Sequence, residues 1–159
     1  MDFFTIMTRW FWAICIVCCF ANAAVLRFRA QKRIHENPEL EDGYRIIIKG
    51  FLIWMNIPWI VMGIGHLVGG VPTVLHFFRP SDGNPYVLGF WASIVVMWVL
   101  GTYWLFYRQG AEMLVRHPGL FRSDFKSAIT VKFHWILCVA GGVVALIAMF
   151  IMDIPLPNG

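Results

Sequence analysis

The sequence predicts an all-α integral membrane protein, a four-transmembrane-helix antiparallel bundle, and three observations predict it. First, 59% of its 159 residues are hydrophobic and only 14% are charged, against about 45–50% and about 25% in soluble domains. Second, the apolar residues collect into four blocks, each near the ~20 residues needed to cross a hydrocarbon core. Third, the basic residues sit just outside those blocks, where they orient a chain and meet anionic lipid. A net charge of +4 therefore points to lipid and not to nucleic acid. Eight Trp and fourteen Phe supply aromatic belts at the two interfaces. The whole chain, 1–159, reads as one membrane domain.

The first span covers about 3–27, interrupted by Thr5, Thr8, Arg9 and Asn22. Ala21-Asn22-Ala23 resembles a signal-peptidase site, but the basic cluster Arg27, Arg29, Lys32 and Arg33 follows the apolar block instead of preceding it. Secretory signals have the opposite polarity, so the block is expected to stay as a helix. It is expected to run on to about His35, because Glu36-Asn37-Pro38 resists helix. The second span covers 49–71, with Pro58 freeing the carbonyl near Trp54. Arg79-Pro80-Ser81-Asp82-Gly83-Asn84-Pro85 forms a tight turn, 79–85. The third span covers 86–108 and the fourth 132–152, neither with an internal charge. At 1.5 Å per residue these are about 33 and 32 Å long. An extension of the third helix is expected through Gln109–Val115, closed by His117-Pro118-Gly119, with Ser123 or Asp124 capping the fourth.

Eleven Lys and Arg fall on the side of the 28–48 and 109–131 loops; Arg9 and Arg79 fall on the other. The positive-inside rule then places both loops in the cytoplasm and both termini outward, in a cell (inner) membrane.

No Asp, Glu, Lys or Arg lies near the middle of a span, which argues against proton relays and charge-selective pores. Small-xxx-small patterns at Gly65/Gly69, Gly89/Ser93 and Gly141/Ala145 allow close helix approach, within the chain or onto another. Asn56 is expected to act as polar glue. Cys15, Cys18 and Cys19 share a face of the first helix, and Cys138 and His134 share a face of the fourth at a similar depth. Thiolates and an imidazole suit zinc or copper, while free thiols also serve as small apolar residues. His66 is the one histidine placed to hold a haem or pigment, with Gly63, Gly65, Gly69 and Gly70 leaving room. It has no second histidine at its depth on another helix, so a bis-histidine haem is disfavoured and no cofactor is predicted.

Glu112, His117, Ser123 and Asp124, beside Arg108, Arg116 and Arg122, resemble what a headgroup enzyme would use, and equally a solvated, lipid-anchoring loop. No P-loop, nucleophile elbow or HExxH pattern appears, so the chain is not read as an enzyme. The expectation is an accessory or helix-packing subunit, bound to a membrane-protein partner or to copies of itself. A metal- or haem-binding redox protein and an oligomeric small-molecule transporter near Asn56 and Pro58 are the alternatives.

Overall fold

The computed structural model describes residues 3–120 and 124–151. It is all-α, with four helices long and apolar enough to cross a membrane.

The first apolar block is two helices and not one: α1 (Phe3–Arg9) and α2 (Phe11–Glu36). The break is at Trp10, whose φ and ψ of −101° and 12° leave the helical region. Backbone bonds Trp10 N to Ile6 O (3.0 Å) and Ile14 N to Trp10 O (3.1 Å) still bridge it. α2 ends at Glu36, and Asn37 turns extended ahead of Pro38, as a pre-proline residue must. The Asn37 side chain accepts the Glu39 amide at 3.3 Å, and a single 3-10 turn, Pro38–Leu40, leads into α3 (Glu41–Leu67). Most of the 28–48 stretch is therefore helix, and the connection is a tight hairpin.

α3 continues through Pro58 and stops at Leu67, short of Val71. Gly69 thus lies outside the helix. Beyond Val68, which caps the helix, the chain passes Gly70 at φ 65° and makes 3-10 turns at Val74–Phe78 and Pro80–Asp82. This connection is a packed cap. Val71, Val74 and Phe77 are buried with Met62, Val87 and Phe90, and the Trp91 indole donates to Phe77 O at 2.7 Å. Gly83 at φ 69° completes the turn. Asn84 then caps α4 (Pro85–Tyr107), accepting from the Tyr86 and Val87 amides at 2.9 and 3.4 Å. Pro85 sits at the first helical position, where no amide hydrogen is needed.

α4 does not extend to His117. Gln109 adopts a left-handed φ of 55°, and a separate short helix, α5 (Gly110–Arg116), follows. Gly110 makes the reversal possible, because a Cβ there would lie 2.5 Å from the Trp104 ring. α6 (Ala128–Ile151) is the fourth span. Its cap is Ser127, whose hydroxyl accepts the Thr130 amide at 3.2 Å. Asp124 instead takes the Gly119 amide at 2.6 Å, and Ser123 lies outside the described residues.

Successive spans run antiparallel. α2 lies on α3, with Phe11 edge-on to Trp59 (5.9 Å) at one end and Ala30 against Tyr44 and Ile47 at the other. α3 lies on α4 around Met62 and Phe90. α4 meets α6 by a reciprocal insertion: Trp98 fills the space over Gly142, and Trp135 fills the space over Gly101. The Trp135 indole donates to Thr102 Oγ1 at 2.8 Å, and that hydroxyl donates to Trp98 O at 2.7 Å. Both polar groups are thereby satisfied in a setting where an unmet hydrogen bond is costly. Val131 is the buried residue of α6, so the helix hangs on one edge of the assembly.

Candidate functional site

The thiols and His134 do not converge. Among the described residues, no three His, Cys, Asp or Glu side chains come close enough to share a metal ion. α2 packs chiefly on α3, and α6 on α5, the Pro80–Asp82 turn and α4, so a common depth does not become a common site. Cys18 and Cys138 are exposed, and Cys15 is half-buried. Cys19 is buried with its thiol 3.8 Å from Met55 O, the behaviour of a small residue in a helix contact. His134 is exposed and its Nδ1 pairs with Thr130 O at 2.7 Å.

The loop residues are likewise engaged apart from one another. Glu112 accepts from Lys132 Nζ at 2.8 Å, joining α5 to α6. This hydrogen bond is the main cause that holds the Glu112 carboxyl below its ordinary value. A lowered native value means the pair's contribution is full above the ordinary carboxylate range and is lost as pH falls through the native value. Wild-type protein is therefore expected to lose more thermal stability between neutral and acidic pH than Glu112→Gln; equal pH profiles would refute this. His117 is 7% exposed, with Nδ1 paired to Met113 O at 2.6 Å and its ring edge-on to Tyr44 at 4.8 Å. Tyr44 donates to Pro118 O at 2.7 Å. These contacts clamp the 117–120 turn onto α3. Arg122 and Ser123 lie outside the described residues.

Asn56 is buried and donates to Leu52 O of its own helix at 2.6 Å. It does not cross to a neighbour, nor does it reach the Trp54 carbonyl that Pro58 leaves free. Its Oδ1 is enclosed without a partner among the described residues.

The glycines divide into two sets. Gly65 and Gly69 are filled from within the chain, by Phe77 and Tyr86, and Gly63 is filled by Trp12. The space over these three glycines is therefore occupied, and the opening beside His66 lies on the side of Gly70 and Arg9. Gly89 and Gly141 face open space among the described residues, with none within 4 Å of an added Cβ. Ala145 is exposed beside Gly141, one turn on, while Ser93 turns its hydroxyl to Phe90 O at 2.6 Å. Sequence reasoning missed Gly43, Gly101 and Gly142. The signal for the last two was present: Trp98 and Gly101 are three apart and Trp135 and Gly142 seven apart, so each helix carries a Trp and a Gly on one face.

A cavity lies at the end of the molecule opposite the basic loops. It measures about 330 Å³ and is bounded by Arg9, Trp10, Trp12, His66 and Leu67, with the Gly70–Pro72 segment as one wall. The cavity exists because α1 breaks from α2 at Trp10 and α3 stops at Leu67. His66 Nδ1 pairs with Val71 O at 2.5 Å. A carbonyl only accepts, so Nδ1 carries the proton. Nε2 is enclosed and has no partner among the described residues, and Phe77 packs edge-on to the ring at 5.4 Å. A second cavity of about 180 Å³, lined by His76, Arg79 and Asp82, lies across the same Gly70–Pro72 segment.

No protein-family model matches this chain, and neither a curated protein nor a solved structure does.

Proposed function

We propose that this protein works by lateral helix association, as an accessory subunit of a membrane assembly or as a homo-oligomer, through the open face of α6. The observation that carries this reading is Gly141, which faces open space in the middle of a long apolar helix, with exposed Ala145 one turn away. Without a hydrophobic driving force in lipid, close backbone approach at small residues is what draws helices together. Gly89 on α4 offers a second open position of the same kind. In this reading the membrane is a cell (inner) membrane, with the basic 28–48 and 109–131 stretches cytoplasmic and both termini and the 79–85 turn outward, as the distribution of Lys and Arg supports.

Native mass spectrometry after gentle detergent extraction tests the association. Wild-type protein is expected as an oligomer or with a stoichiometric partner, and Gly141→Leu as a folded monomer. Because a Cβ added at Gly141 has no described residue within 4 Å, this change is expected to act on association and spare the fold. A wild-type monomer with no co-purifying protein would refute the reading.

A further inference from the structure

We propose that the cavity between the α1–α2 break and the Leu67–Pro72 turn binds a phosphate anion, supplied by the headgroup of an anionic lipid. Three observations carry it. Arg9 lines the cavity, and among the described residues no carboxylate lies within ion-pair distance of it. At the basic end Arg33, Arg45 and Lys132 have a carboxylate partner, and none of the cations there lines either cavity. In the adjoining cavity Arg79 has Asp82 at 3.3 Å. Arg9 is thus a permanent positive charge at a concave site, with no carboxylate beside it among the described residues. A guanidinium fork matches the oxygens of a phosphate.

The surroundings select a lipid as the source. The cavity sits where α2 begins and α3 ends, with the Trp10 and Trp12 indoles in its wall, their rings 6.0 Å apart. Tryptophan at helix ends marks the headgroup level of a bilayer. Leu67 and Val68 beside the opening are 69% and 72% exposed, an apolar surface on which an acyl chain can lie. At about 330 Å³ the space is near the lower limit of ligand pockets. It suits a headgroup and leaves the tails outside. His66 and Gly70 shape the floor: the imidazole is tethered to Val71 O, and Gly70, at φ 65°, adds no side chain to obstruct entry.

The test is photocrosslinking by a headgroup-labelled phosphatidylglycerol analogue in phosphatidylcholine nanodiscs, with the labelled peptides mapped. Labelling is expected on the peptides that contain Trp10 and Leu67–Pro72, and to fall about tenfold in Arg9→Gln, the effect of losing one charge-assisted hydrogen bond. Arg45→Gln at the other end is expected to leave that labelling unchanged. Arg9 is exposed, so circular dichroism should show the same helix content in Arg9→Gln as in wild type. Labelling confined to the basic end, labelling indifferent to Arg9, or equal labelling by a neutral phosphatidylcholine analogue would overturn the proposal. If millimolar inorganic phosphate abolishes the Arg9-dependent labelling, the anion is free phosphate and the lipid assignment is overturned.

Discussion

Gly43→Ala is expected to destabilise the protein by about 2 kcal/mol, the cost of overpacking a filled site, although it adds a single methyl group. The Cβ would overlap Nε2 of the His117 ring, and that ring has nowhere to go. Its Nδ1 is tied to Met113 O, its ring packs perpendicular to that of Tyr44, and the side chain is 7% exposed. Displacing it also strains the Tyr44 hydrogen bond to Pro118 O, which holds the 117–120 turn on α3. The measurement is reversible unfolding in mixed micelles, run as a double-mutant cycle with His117→Ala. In the His117→Ala background the Gly43→Ala change is expected to be nearly neutral, because the overlapping ring is gone. Wild-type stability for Gly43→Ala alone, or an equal cost in both backgrounds, would show that this contact is not what excludes a side chain at position 43.

The second large effect is expected at the junction of α4 and α6. Gly142→Ala places a Cβ into the Trp98 ring, whereas Gly141→Ala, one residue away, meets nothing. The first is expected to cost about 1–3 kcal/mol and to loosen the middle of α6 from α4. The second is expected to leave stability unchanged. Gly101→Ala is expected to resemble the first, since its Cβ would lie 2.6 Å from Trp135. Cysteine crosslinking between α4 and α6 separates these outcomes from general unfolding: efficiency should fall for Gly142→Ala and hold for Gly141→Ala. Equal behaviour of the two neighbours would remove the reciprocal Trp-into-Gly packing as the basis of the α4–α6 contact.

Local features of the sequence were the most legible. Asn37-Pro38 ends α2, and Asn84-Pro85 opens α4. Each depends on backbone chemistry within a few residues: a missing amide hydrogen, a steric limit before proline, a side chain that caps. The candidate sites were less legible. The similar depths of Cys19 and Cys138 suggested a meeting point, but depth is one coordinate, and which helix stands beside which is another. Four glycines surround His66, yet Trp12, Phe77 and Tyr86 fill Gly63, Gly65 and Gly69, and only the side toward Gly70 and Arg9 is open. A glycine in a sequence does not say whether the space it leaves is empty or occupied.

By itself the sequence determined the number of crossings and the residues that punctuate them, because hydropathy, length and turn chemistry act along the chain. Only the tertiary structure decided how each crossing is held. It divided the first block at Trp10 and folded 68–82 into a packed cap instead of helix and a short turn. It spent Gly65, Gly69, Gly101 and Gly142 on aromatic rings while leaving Gly89 and Gly141 open. The physical reason is that a small residue and a large ring fit together only when separate helices bring them face to face. In lipid, that fit is what sets one apolar helix against another.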